Sequence, residues 1–483
     1  MTQAHRASGC VRTLIGLVIA VAGELAVGAV PAVHAAGADL QPPPVKVLLS
    51  SPAAASGLVF LTPRRTTAPS GQQGPEIVDA HGRPVWFEPL LNGDQATDFR
   101  VQRYLGKPVL TWWQGTNPVA RGVGVGVDKV MNSSYQVIAT VHAGNGLDAD
   151  QHEFVLTPRG TALITVYHAV PMDLSAVGGP ANGEVFDGIV QEVDVATGSV
   201  LFEWHSLAHV PLADSYLAPP AAATTPWDYF HINSINLDHD QNLLVSARHT
   251  WTIYKVDRHT GDVMWRLGGK HSDFSLGAGT HFAWQHDVHP AGPHTLRIFD
   301  NESNGTPAMP PTRVLWIRLD GPTMTATLER SLEHPAALLV PSQGNAQPLD
   351  NGDTFVGWGA LGRLSEFDSD GNLIFDATLP SGYDSYRSYR ATWDGEPDSP
   401  PIATRQANGD ATTTVHAIWN GATEVAQWRV LAGPDASSLV EITTAPWNGL
   451  DTSITVTTNA AEIAVEALDI HGHVIGSSEP VGA

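Results

Sequence analysis

Apolar and polar residues alternate in short runs along most of this chain, with a period of two. From about residue 40 to 395, runs rich in Val, Ile, Leu, Trp and Phe are broken every few residues by Gly, Asp, Asn and Pro. Alternation bounded by turn residues predicts half-buried strands joined by tight turns. No long stretch carries the apolar period of an amphipathic helix.

One unit recurs. An apolar run ends in Asp, a turn often carrying Gly follows, and a second apolar run with an aromatic residue completes it. The clear copies run from Ile77 to Phe87, Val193 to Trp204, Val256 to Trp265 and Phe367 to Phe375. Weaker ones run from Val127 to Ile138 and after Leu319-Asp320. The Asp heads fall at 79, 128, 194, 257, 320 and 368. Each copy reads as an antiparallel hairpin whose turn takes the positive φ that Gly and Asn tolerate. Six copies predict an all-β fold, a six-bladed β-propeller spanning 37–395. A sandwich or solenoid is the alternative, but the unit lengths fit four-stranded blades better. Pro171 to Asn182 and Leu212 to Thr225 read as loops inserted on one face.

The pattern changes near Trp393. Residues 396–405 form a Pro-rich linker, and the short alternating strands of 406–483 predict a small C-terminal β-sandwich similar to a fibronectin type III module. Trp419 and Trp428 are its expected core. At the other end, Arg6 and Arg12 precede an apolar run from Leu14 to Ala22, and Val33-His34-Ala35 before Ala36 is a small-residue cleavage site. Residues 1–36 therefore read as a secretory signal, and the mature protein is expected outside the cell with no membrane span. A membrane anchor is the alternative, but the run is short and Glu24 interrupts it. The single cysteine, Cys10, lies in that segment. The mature chain then has no disulfide, thiol nucleophile or thiolate metal site.

Charge narrows the partners. The formal net charge is −23, which repels phosphate backbones and argues against nucleic acid.

Candidate chemistry sits between Trp227 and Gly305. His152 opens HEFVLTPRGTALITVY, His231 opens HINSINLDHDQNLLVSAR and His286 opens HDVHPAGPHTLRIF. Each is a strand, a polar turn and a second strand, just before the Asp-headed hairpin of its unit. The three histidines thus hold equivalent places in successive blades, and Gln347 holds the comparable place in the next. In a propeller the innermost strands line the axis, so equivalent inner positions converge on one funnel. A histidine at a strand start commonly just bonds a backbone carbonyl. Three at matching positions weaken that reading.

Arg248 supplies a fork of donors suited to a tetrahedral oxyanion. Asn233, two residues after His231, is expected on the same face of its strand. A neutral imidazole can serve as nucleophile, base or acid near neutral pH. One histidine attacking while the others and Arg248 hold oxygens is a design for group transfer through a covalent histidine intermediate. The competing use is a metal site, with Asp287 and His289 joining His152, His231 and His286. A guanidinium at the centre opposes that, and no metal or cofactor is expected. Asn301 in FDNE reads equally as a turn residue. Asp238 to Asn242 lacks the spacing of a calcium loop and reads as a plain turn.

The stretches FHINSI, LLVSARH, FAWQHD and IFDN resemble the arylsulfotransferase family that works without a nucleotide sulfate donor, in its smaller secreted branch. The resemblance runs from about GPEIVDAHGRPVWF to SYRATWDG. It implies a six-bladed propeller with the site in its central channel. It also implies transfer of a sulfuryl group from a phenolic sulfate ester to a phenol acceptor, by a ping-pong route through a sulfohistidine. Carried over, His286 of QHD is the nucleophile. His231 and Asn233 of HIN and Arg248 of SARH bind the sulfuryl oxygens, His231 doubling as acid and base. His152 completes the group, and Arg390 in SYRATW falls in a matching stretch. The chain departs from the well-studied branch in lacking its disulfide, in a reduced N-terminal β-domain and in the added C-terminal sandwich. Two other readings stay open. One is a non-catalytic secreted propeller binding a glycan or cell-surface ligand; the other is a metal-dependent propeller hydrolase or oxidoreductase.

Overall fold

The computed structural model describes residues 40–68, 70–119, 122–303, 309–409 and 411–482. The expected signal at 1–36, with Cys10, lies outside the described residues. No helix among the described residues is long and apolar enough to cross a membrane.

The protein is all-β, in a propeller-like order. Gln95–Tyr104, Lys107–Val119, Val123–Met131 and Val137–Val141 form one antiparallel sheet in chain order. The next three sheets begin with Phe154–Leu156, Ile232–Leu237 and His286–Gly292, and a fifth with Asn345–Pro348. The sixth joins distant parts of the chain: Ser388–Ala391 pairs with Leu58–Leu61, which continues to Glu76–Val78 and Pro84–Phe87. In addition, Lys46–Ser50 adds an outer strand to the fifth sheet through Leu373–Thr378. The N-terminal segment is thus stitched into two neighbouring sheets, and the series closes on itself.

Packing explains the closure. Each neighbouring pair of sheets shares one apolar cluster, and the sixth and first sheets share one too, around Phe60, Trp86, Phe99 and Trp112. Every sheet therefore buries both faces. Inner strands such as Leu243–Ala247 and Thr252–Val256 are buried at every position. In these inner strands the alternation is not inside against outside; outer strands such as Thr325–Glu333 do alternate between buried and exposed positions.

Amide side chains join the inner strands. Asn233 Nδ2 donates to Gln285 O (2.7 Å) and Asn236 Nδ2 to Val288 O (2.8 Å). Asn345 bonds both ways with the backbone of Ser388, and Gln347 does the same with Arg390. Gln102 does so with Phe154 and Leu156. Bonds from buried amides to strand backbone satisfy groups that would otherwise be costly to bury.

Five of the six Asp heads stand at the turn between the third and fourth strands of a sheet, where Asp79, Asp257 and Asp368 accept bonds from their own turn. Asp128 does not. It lies inside Val123–Met131, buried, and the turn comes later, where Asn132 accepts from Gln136 N. The insertion expected from Pro171 also starts late, because the strand Thr161–Met172 runs through it. Asp238 heads a plain turn held by Gln241 N (2.9 Å).

Residues 402–482 form two further sheets that share a cluster around Trp428, Val415, Val430 and Ile463. Trp428 is buried; Trp419 is only half-buried, its Nε1 donating to Ser399 O. This region docks on the sixth sheet. Asn420 clamps both backbone groups of Phe87, at 2.9 Å each, and Tyr135 Oη donates to Gly421 O (2.8 Å).

Candidate active site

The starts of the inner strands surround a cavity of about 860 Å³. His152, His231, His249, His286, Arg248 and Tyr386 form its wall, and Leu217 to Pro220 give its mouth an apolar edge. The structure thus brings His152, His231, His286 and Arg248 together as their matching positions predict. Ring centroids are 4.8 Å apart for His152 and His231 and 4.6 Å for His231 and His249. His231, Trp284, Asp287 and Gln343 all have positive φ, a conformation that costs a non-glycine residue on the order of 1–3 kcal/mol. The surrounding packing holds the strand starts in these unusual shapes.

The tautomer of His286 follows from its neighbours. Asn301 Nδ2 donates to Val340 O (3.1 Å) and Gln343 O (3.0 Å), which fixes the amide with Oδ1 towards the imidazole. His286 Nδ1 then donates to that Oδ1 at 2.7 Å. Its Nε2 keeps the lone pair and accepts only the Gln343 N–H, at 3.2 Å. Burial, with the Arg248 charge second, holds the imidazole neutral well below the ordinary histidine pKa.

The other imidazoles are also anchored. His152 Nδ1 bonds Asp150 and His231 Nδ1 bonds Asp228. Burial lowers His231 and raises Asp228, so neither member of that pair readily takes up charge alone. His249 Nδ1 donates to Asp228 O, and its Nε2 accepts from Arg248 Nη1 at 2.9 Å. Burial pushes His249 down to about 3.

Arg248 has no carboxylate partner among the described residues. Its Nη2 donates to Pro341 O (2.9 Å), its guanidinium lies 4.8 Å over the Trp284 ring, and its Nε is unpartnered. Burial lowers it to about 10. A cation in this state favours an anion in the cavity.

Below the histidines the same strands build an ionic layer. Arg387 donates to both oxygens of Glu153 (2.9 and 3.0 Å) and to Asp98 (3.2 Å), and Arg100 bonds Glu153 at 2.7 Å. Burial raises the Glu153 carboxyl, but Arg387 and Arg100 outweigh it and hold it below its usual value.

Several expectations need correction. Asn233 does not line the cavity; its Nδ2 donates to Gln285 O. The two-residue rule fails because His231 sits at φ 55°, before the strand proper begins at Ile232. Gln347 is likewise tied to Arg390 backbone, and Gln343 faces the cavity instead. Arg390 pairs with Glu366 at 2.9 Å, away from the site. The metal set of the competing reading does not assemble: Asp287 and His289 bond each other, and His289 opens on a different cavity. Asp228, His231 and His249 do bring ligand atoms within 4.8 Å of one another. Both nitrogens of His249 are already bonded, one by a guanidinium, and that donor set does not suit a cation.

His249, Asp228, Asp150, Tyr386 and Gln343 were not among the expected residues. A signal existed for three of them. His249 directly follows Arg248, and an Asp stands two or three residues before both His152 and His231.

A model of the arylsulfotransferase (ASST) family matches residues 100–379. No curated protein matches the chain. Among solved structures, a protein of unknown function from Bacteroides caccae aligns at 11% identity and TM-score 0.43, covering 69% of this chain and 98% of that one. A protein from Lactobacillus plantarum aligns at 12% and 0.35, covering 83% and 100%. Virginiamycin B lyase from Staphylococcus aureus with quinupristin, a catalytically inactive form, aligns at 10% and 0.35, covering 78% and 97%. At TM-scores this low these likenesses carry no weight for function.

Proposed function

We propose that this chain, which belongs to the arylsulfotransferase family, moves a sulfuryl group from a phenolic sulfate ester to a phenolic acceptor by a ping-pong route through a sulfohistidine on His286. The six closed sheets are read as the blades of a catalytic propeller, and the region after residue 405 as an appended β-sandwich. The protein acts outside the cell after loss of residues 1–36.

The observation that carries the reading is the state of His286. Its Nδ1–H is held by Asn301, so the Nε2 lone pair stands at the cavity wall near an arginine without a carboxylate. In the first half-reaction Nε2 gives up the Gln343 N–H and attacks sulfur with the freed lone pair. The N–S bond forms, the S–O bond to the aryl group breaks, and the phenoxide takes a proton from the His231–Asp228 pair. Arg248 holds the sulfuryl oxygens, and its charge opposes the anion that develops in the transition state. In the second half-reaction the acceptor phenol returns a proton to the pair, its oxygen attacks sulfur, and the N–S bond breaks. His152, locked by Asp150, supports His231 and narrows the space around the sulfuryl group. Leu217 to Pro220 offer an apolar edge for the ring.

The reading needs no metal. Dialysis against EDTA should leave activity unchanged. The test is release of nitrophenol from p-nitrophenyl sulfate with and without added phenol. Acceptor-dependent release is expected. Release that ignores the acceptor, or no turnover over several aryl sulfates, would count against transfer.

A further inference from the structure

A second cavity, about 220 Å³, lies on the same inner strands beyond the ionic layer. Arg297, Arg100, His289 and Tyr389 line it. Arg297 is 4% exposed, yet its Nε has no hydrogen-bond partner. No ion pair joins it to a carboxylate among the described residues. Asp287 acts on it only through space and is already engaged by His289 (3.1 Å), Arg387 (3.6 Å) and the backbone N–H of Ala346 (2.9 Å). Arg100, Arg387, Arg258 and Arg390 also leave a nitrogen unpartnered, but each is matched by a carboxylate: Arg100 and Arg387 by Glu153 and Asp98, Arg258 by Glu192, Arg390 by Glu366. A buried guanidinium left out of such a scheme is costly unless an anion completes it. The chemistry of the fork selects the anion: planar or tetrahedral oxygens that accept two parallel bonds. Size selects further, since this cavity has about a quarter of the volume of the histidine cavity.

We propose that this cavity binds a small oxyanion, a sulfate or a short carboxylate, held by Arg297 with Arg100 and His289 beside it. The site stands apart from the transfer reaction and does not depend on it.

The test is calorimetric titration of the full chain with sodium sulfate and, separately, sodium malonate, at constant ionic strength. Wild type, Arg297→Met and Arg248→Met are compared. Binding of at least one of the two anions should weaken about tenfold or more in Arg297→Met, the loss of a charge-assisted contact, and persist in Arg248→Met. Unchanged binding in Arg297→Met, or binding abolished by Arg248→Met alone, would overturn the proposal. So would no binding of either anion at millimolar concentration. Should Arg297→Met fail to fold, selenate soaked into wild-type crystals decides. An anomalous peak within hydrogen-bond reach of Arg297 supports the site, and a peak in the histidine cavity alone overturns it.

Discussion

The histidine layer and the ionic layer beneath it stand at the starts of the same inner strands, one residue apart. His152 precedes Glu153, His286 precedes Asp287, and Tyr386 precedes Arg387. In the ionic layer burial is met by pairing: Arg387 and Arg100 share Glu153 and Asp98. In the histidine layer burial is met by neutrality. His286 and His231 are held far below their ordinary pKa, and Arg248 beside them has no carboxylate partner among the described residues. The difference separates structure from function. Charges that are fully paired hold the strands in place. Bases kept neutral, beside a cation without a carboxylate, are what the proposed reaction needs.

That contrast can be broken by substitution. His286→Ala should abolish transfer, by at least about 10⁴-fold in kcat, while thermal unfolding stays close to wild type. Arg387→Met should do the reverse. It leaves the two buried carboxylates Glu153 and Asp98 with Arg100 as their one shared cation, and unfolding in urea should show a loss of about 3–5 kcal/mol. Arg248→Met should cost on the order of 2–4 kcal/mol in transition-state stabilisation, read as kcat/KM, with stability little changed. A fall of less than about threefold would remove Arg248 from the site.

Asn301 sharpens the comparison further. Asn301→Ala frees the tautomer of His286 and should lower kcat by about ten- to a hundredfold, the range of a lost buried hydrogen bond. Asn301→Asp should recover part of the rate, because a carboxylate also accepts from Nδ1. It should also favour the imidazolium and move the acid limb of the pH profile upward. In the wild type that limb should lie well below the ordinary histidine pKa, since burial and Arg248 keep His286 unprotonated there. The smallest effect is expected from ending the chain after Pro400. Transfer should persist, with a lower Tm because Asn420 no longer covers the backbone of Phe87.

Much of this was legible in the sequence because repetition carries position. The three histidines of the strand-turn-strand units converge on one cavity, and Arg248 joins them. What depends on local backbone shape was not legible. Asn233 faces away because His231 takes a positive φ, and Asp128 falls inside a strand because its hairpin turns later, at Asn132. Contacts between distant segments were hidden as well. Asn301 reads as a turn residue until Val340 and Gln343 are seen to orient its amide. The clamp of Asn420 on Phe87 spans 333 residues of sequence, and no periodicity announces it.

The central claim is that His286 Nε2 carries the sulfuryl group. Enzyme mixed with p-nitrophenyl sulfate without acceptor, quenched and weighed by intact-mass spectrometry, tests it directly. The account predicts an adduct of about +80 Da, one sulfuryl group on the nucleophile, mapped to His286, discharged by phenol and absent from His286→Ala. Turnover with no adduct, or an adduct of the same mass in His286→Ala, would contradict it.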